Sequence, residues 1–324
     1  MSNDDAIETL LERAAPRPVP PEHVETDVRA AVHAAWRSTV GGRRRRRTIA
    51  GLAVAATLLL AVATTFDALR NSGTAATLVA TIDKSHGSIM IEGARSGQVP
   101  ADDLTMIVTG QTLLSAADAA AGLAWENGGS LRIDRNSRVE FVSGNEIFLH
   151  SGRVYFDSAP AQAGTEFVVL TAHGRVTHVG TQFMAESRPA SLVVSVREGE
   201  VAVSGTFHDE TARKGQVIEL TGSASASRTN TSGVGNDWQW IEAVAPHVDM
   251  NGRSTYEFLL WVGRETGHEV RFVTESAEQL ARDTDFVGDI ESDPRSELRL
   301  RMMTTDLEAR FESDEPAILV TDSR

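Results

Sequence analysis

Residues 192–204 read LVVSVREGEVAVS. Leu192–Val196 and Glu200–Ser204 are short runs with valine at alternate positions, and Gly199 stands between them. Apolar residues at a period of two, interrupted by a turn residue, specify β-strands. The same pattern recurs outward in both directions. Ser88–Ile91, Leu104–Thr109, Leu131–Ile133, Arg138–Val142, Glu146–Leu149, Arg153–Phe156, Glu166–Thr171, Arg175–Val179 and Gln216–Leu220 are all such runs. Gly128-Gly129, Ser143-Gly144-Asn145 and Ser151-Gly152 separate them, supplying the positive φ that tight steps need. Residues 78–221 are therefore expected to be all-β: a sandwich, barrel or solenoid without a strict repeat. One segment conflicts: Ser115–Ala124, SAADAAAGLA, is a helix former by propensity.

Residues 222–236, GSASASRTNTSGVGN, read as a Gly/Ser-rich linker. The period then changes. Over 237–324 the pattern predicts a strand at Val248–Asn251, a helix capped by Ser254 and ending at Gly267, and a strand at His268–Val273. A strand at Phe286–Ile290, a helix over Pro294–Thr304, and closing strands at Phe311 and Ala317–Thr321 follow. This βαβ-βαβ order describes a small α+β domain.

Upstream, Thr48–Phe66 is a nineteen-residue stretch without charge. As a helix it spans about 28 Å, close to the ~30 Å hydrocarbon core of a bilayer. Arg43–Arg47 precede it directly, and Asp67 and Arg70 follow. The positive-inside rule predicts one transmembrane helix over 48–66, a cytoplasmic N-terminus, and a juxtamembrane linker over 67–77 leading to exported domains. The charge divides accordingly: +2 over residues 1–47, zero over 48–66 and −16 over 67–324, giving −14 in all. So acidic a chain is a poor general nucleic-acid binder. It has no cysteine, so disulfides, thiolate metal sites and a cysteine nucleophile are excluded.

The tail over residues 1–47 carries two amphipathic helical patterns around the break Pro16-Arg17-Pro18-Val19-Pro20-Pro21. Ile7, Leu10, Leu11 and Ala14 line one. Val24, Val28, Ala31, Val32, Ala35 and Trp36 line the other, before Gly41-Gly42. Two short helices make no core of their own. The alternatives are a loosely ordered tail, helices lying on the membrane surface, or helices docked into a partner's groove, and in the last case Val28, Val32 and Trp36 are the binding residues.

Several pieces in order carry a resemblance. They are Gly110-Gln-Thr-Leu113, Leu123–Ile133, Leu149–Phe156 with Gly152, Gly180-Thr181-Gln-Phe183, Val194–Val203 with Gly199, and Lys214-Gly215-Gln216. Together they resemble the FecR-type periplasmic sensor domain. The resemblance implies a solenoid-like all-β domain in which the alanine-rich 115–124 segment is extended. It makes Gly152, Gly180, Thr181, Phe183, Gly199 and Gly215 structural motif residues. Asn251-Gly252-Arg-Ser254 and Arg264-Glu-Thr-Gly267 are similar to the STN module that follows such domains.

Catalytic constellations are not evident. His173 and His178 fall on opposite faces of a strand, and His208-Asp209-Glu210 reads as a solvated turn. Asp283–Asp289 lacks a polar fifth ligand at Val287, and Pro294 stands where a calcium loop needs its bidentate Glu. GxSxG, HExxH, P-loop and GxGxxG motifs are absent, so neither enzyme activity, metal nor cofactor is expected.

The resemblance implies an inner-membrane signal transducer controlling an extracytoplasmic-function sigma factor. Its partners would be that sigma factor, the signalling module of a TonB-dependent transducer in the periplasm, the membrane, and regulatory proteases. The alternatives are a membrane-anchored periplasmic scaffold or ligand-binding module with an inert tail, and an anchored glycan-acting enzyme.

Overall fold

Alternating Val, Ile, Leu and Phe drive the first and larger part of the structure. The computed structural model describes residues 76–93, 97–158, 166–205, 209–221, 226–290 and 293–323. Fifteen strands form one sheet system: β1 (Leu78–His86), β2 (Ile89–Gly93), β3 (Gly97–Ala101), β4 (Met106–Val108), β5 (Thr112–Ser115), β6 (Ala120–Trp125), β7 (Ser130–Ile133), β8 (Arg138–Ser143), β9 (Glu146–Asp157), β10 (Phe167–Thr171), β11 (Gly174–Ser187), β12 (Ser191–Ser204), β13 (Asp209–Arg213), β14 (Gln216–Thr221) and β15 (Ala226–Asn230). The main path runs β15-β14-β12-β11-β10-β9-β7-β6-β1-β4. Off it, β13 pairs with β12, and β8, β5, β2 and β3 join in turn from β9. The inward positions of nearly all these strands share one apolar core, from Val79 and Ile82 through Phe156 and Phe167 to Leu220. Each fully buried aliphatic or aromatic side chain there contributes roughly 1.5–3 kcal/mol.

The chain is mainly β, but not solenoid-like. A solenoid stacks parallel coils. Here the strands pair antiparallel with near neighbours, and β9–β10 is the parallel exception. The alanine-rich segment is extended, as the resemblance implies and against its propensity. Ala120, Ala121 and Leu123 are buried in β6, which pairs with both β1 and β7.

Two presumed turns are bulges inside long strands. Gly152 lies within β9 and Gly199 within β12, with φ of +90° and +79°. The paired registers shift beside both, so the glycines bend the strands rather than end them. The linker reading of 222–236 also needs correction. Ala226–Asn230 is an edge strand on β14, with Ala226 opposite Leu220 and Asn230 opposite Gln216. Its mostly exposed side chains offer no apolar alternation, so only backbone pairing reveals it.

The C-terminal part contains α1 (Asn236–Ala243), α2 (Thr255–Thr266), β16 (Glu269–Phe272), α3 (Glu275–Asp283), α4 (Pro294–Met302), β17 (Leu307–Phe311) and β18 (Ala317–Asp322). Its sheet order is β16-β18-β17, parallel then antiparallel. This is α+β, but not βαβ-βαβ. The expected strands at 248–251 and 286–290 reduce to a single bridge between them, Asp249–Asp289, and a second bridge, Ser254–Asp285, lies beside them. Helices α1 and α3 are additional. Helix α3 buries only Ala277 and Ala281, too narrow a stripe to read from sequence, and α1 follows directly from the Gly-rich segment.

The helical tail, the stretch 48–66, most of the 67–77 linker, and Val28, Val32 and Trp36 lie outside the described residues. Among the described residues, no helix is long and apolar enough to cross a membrane.

Candidate functional site

Strand alternation gives the large sheet a second face, and part of it is covered by α1 and α2. On β9, Val154 and Phe156 enter the main core, while Tyr155 points the other way. Tyr155 packs there with Met184, Trp238 and Ile241 and meets Trp238 edge-on at 6.2 Å. Arg132 of β7 stands opposite Tyr155 in the ladder and is wholly buried. Arg197 of β12 is buried beside Trp238, its guanidinium carbon 4.5 Å from the ring centre.

Helix α2 delivers the polar side of this junction. A capping box starts it: Glu257 N donates to Ser254 Oγ, and Ser254 N donates to Glu257 Oε2. Gly267 ends it in the left-handed conformation, at φ +76°. Its last turn therefore places Arg264 and Glu265 against the sheet.

Arg132 donates to Glu265 Oε2 at 2.6 Å and to the Ile241 carbonyl at 2.9 Å. Arg197 donates to the carbonyls of Gly233 (2.8 Å) and Glu265 (3.1 Å). Arg264 reaches Asp157, the Ser158 carbonyl at 2.9 Å, and Glu198 at 3.3 Å. Gln182 completes the row by donating to Asp157 at 2.8 Å.

Burial opposes charge throughout. It pushes the Glu265 carboxyl up against the pull of Arg132. It raises the Tyr155 phenol, as does Asp157, outweighing Arg197 and Arg132. Burial also works against the charge of Arg132, but Glu265, Tyr155 and Asp157 hold its guanidinium above the ordinary arginine value.

The motif residues fall in different places. Gly180, Thr181 and Gly199 meet in one bulge. A Cβ on Gly199 would lie 2.6 Å from the Gly180 carbonyl oxygen. Thr181 N donates to Ser158 Oγ at 2.9 Å. Gly215 turns the chain between β13 and β14, and its N–H donates to the Val196 carbonyl at 2.9 Å. Phe183 is buried in the main core. Gly152 lies apart, against Ser137.

His178 is buried among Phe156, Phe167 and Phe183, while His173 Nε2 meets the Arg188 carbonyl at 3.0 Å. No group of three potential metal ligands occurs among the described residues.

Arg132, Tyr155, Arg197, Arg264 and Glu265 lie within the stretches that carry the resemblances, but the sequence reading gave none of them a role in a junction and did not pick out Trp238. An arginine between Leu131 and Ile133 looks like an ordinary outward residue until a helix is known to cover it.

A second surface lies at β17, an edge strand of the small sheet. Met302, Met303, Leu307, Glu308, Ala309, Arg310 and Thr321 line a groove of about 490 Å³ there. Met303 on this groove is 79% exposed, and Leu300 of α4 is 61% exposed.

Residues 107–202 match the protein-family description "FecR protein". Curated protein sequences give no match. Among solved structures, the chain is similar to a candidate anti-sigma factor from Parabacteroides distasonis ATCC 8503 in two crystal structures. One aligns at 15% identity and a TM-score of 0.35, covering 65% of this chain and 98% of the other. The second aligns at 14% identity and 0.34, covering 65% and 97%.

Proposed function

We propose, from the FecR domain at residues 107–202, that the chain is a single-pass inner-membrane signal transducer regulating an extracytoplasmic-function sigma factor. The match to that family is the observation that carries the reading. The sequence order supports it: a basic tail with two amphipathic stripes, five arginines, nineteen uncharged residues, then the FecR domain. In this reading the N-terminus is cytoplasmic and the domains after residue 66 are periplasmic, 78–221 as sensor and 237–324 as an STN-like module. Val28, Val32 and Trp36 hold the sigma factor. The signalling module of a TonB-dependent transducer is met by the exported part. The free edge of β17, beside exposed Leu300 and Met303, suits an added strand. The chemistry is binding and release, with regulated proteolysis as one route of release. Gly152, Gly180, Thr181, Phe183, Gly199 and Gly215 shape the sensor domain rather than touch a ligand.

The test is a pull-down from the native host with tagged residues 1–47 as bait. Recovery of a sigma factor, lost on Trp36→Ala, is the expected result. An intact, soluble bait that recovers none overturns the sigma-factor reading in favour of a membrane-anchored periplasmic scaffold.

A further inference from the structure

The end of α2, the β13–β14 turn and the middle of β12 enclose a polar groove of about 440 Å³. Arg197, Lys214, Arg264 and Arg271 line it, against Glu198 and Glu269, in a chain whose net charge is −14. Both carboxylates are already engaged. Glu198 accepts from Arg264 at 3.3 Å, and Glu269 accepts from Arg271 at 2.7 and 2.9 Å. Those two arginines also pair with Asp157 and Glu315.

Two cations remain. Lys214 is exposed, with no ion pair among the described residues. Arg197 is 5% exposed and held by two neutral carbonyls, and its Nη2 has no hydrogen-bond partner. The carboxylate of Glu265, buried nearby, is taken by Arg132 instead. The faces of Trp238 and Tyr155, 4.5 and 5.6 Å from the Arg197 guanidinium carbon, offset part of the cost of burying this charge, and an approaching anion offsets more. The backbone fixes Arg197 against the groove wall. A Cβ on Gly267, itself in that wall, would lie 2.8 Å from Arg197 Nε.

We propose that this groove binds a carboxylate, carried by a small carboxylic acid or by the end of a peptide chain, with Lys214 as its direct partner over the fixed charge of Arg197. The volume suits a small ligand. The two rim glutamates disfavour a compact dianion such as phosphate more than a single carboxylate. The site is independent of the sigma-factor reading. His268 lines the same groove and donates from Nδ1 to the Thr266 carbonyl at 2.9 Å. Burial, with Arg295 and Arg197, lowers its pKa to about 4, so a bound anion raises it.

The experiment is calorimetric titration of the full chain at low ionic strength with propionate, inorganic phosphate, and trialanine bearing a free or an amidated C-terminus. Saturable binding of propionate assigns a small carboxylic acid. Binding of free but not amidated trialanine assigns a chain terminus. In either case Lys214→Gln weakens binding about tenfold or more, as loss of a charge-assisted hydrogen bond requires, while Arg138→Gln on β8, which does not line the groove, leaves it unchanged. The histidine NMR titration of His268 shifts upward on binding. Saturation by phosphate alone, no saturable binding, or equal binding by Lys214→Gln overturns the proposal.

Discussion

Arg132 on β7 and Glu265 on α2 lie 133 residues apart in sequence, yet their charged groups meet at 2.6 Å, both buried. The pair joins a sheet strand to a helix of the C-terminal part. Taking both charges out of water is costly, and their attraction repays it only while both are present. Glu265→Gln leaves a guanidinium uncompensated and is expected to lower stability by about 3–5 kcal/mol. The double replacement Arg132→Met with Glu265→Leu is expected to recover most of that loss. Urea midpoints of the two variants and the parent decide it. Equal losses in both would mean the pair holds geometry that methionine and leucine cannot.

His178 gives the fold an acid limit. Burial among three phenylalanines lowers its pKa to about 4 from an ordinary value near 6.5. Between those two values the unfolded chain binds the proton and the folded chain does not, so stability rises with pH there. The contribution is fully present above pH ~6.5 and lost as pH falls through about 4, amounting to about 3 kcal/mol. His178→Phe is expected to flatten this part of the stability–pH curve. An unchanged slope between pH 4 and 6.5 would place the titration elsewhere.

Gly152 and Gly97 separate two costs of adding a methyl group. Both have positive φ, +90° and +62°. A Cβ at Gly152 would overlap Ser137, including its backbone, whereas one at Gly97 meets nothing within 4 Å. Gly97→Ala should cost about 1–2 kcal/mol from backbone strain alone. Gly152→Ala should cost that plus about 1–3 kcal/mol of overpacking. Thermal midpoints of the two variants test the order, and a smaller loss at Gly152 would contradict the packing described.

Gly122 of β6 marks where the C-terminal part leans on the sheet. A Cβ there would overlap the Val244 carbonyl, just after α1. Gly122→Ala is expected to speed amide exchange in α1 and α2 while the main core stays protected. Hydrogen exchange resolved by peptide gives the answer. Uniform acceleration would show that sheet and helices open together.

The large β part was legible because its core faces alternate. Leu192–Ser204 and Leu149–Phe156 carry that period even where a glycine bulge was mistaken for a turn. Resemblance, not propensity, corrected the alanine-rich β6, since an alanine's helix preference is a few tenths of a kcal/mol and burial on both ladders outweighs it. Strand β15 and helix α3 stayed hidden because neither buries enough apolar surface to leave a pattern. The junction was illegible for another reason. Alternation shows that Arg132 and Arg197 leave the main core, but not that α1 and α2 wait on the other side. Only the fold brings Glu265 and Trp238 to them.

Strand β1 is flanked on both sides. Leu78–Thr81 pair with Met106–Val108, and Ala80–His86 pair with Ala120–Trp125. It is also the first strand of the described residues. Tension drawn along β1 from its N-terminal end therefore loads two hydrogen-bonded ladders together, in shear, rather than unzipping one bond at a time. Such an attachment resists a pull far better than a terminal strand peeled from a sheet edge. In the membrane-anchored reading proposed above, an anchor pulling on β1 would be resisted by two ladders at once, and the sheet would bear that load without first unravelling.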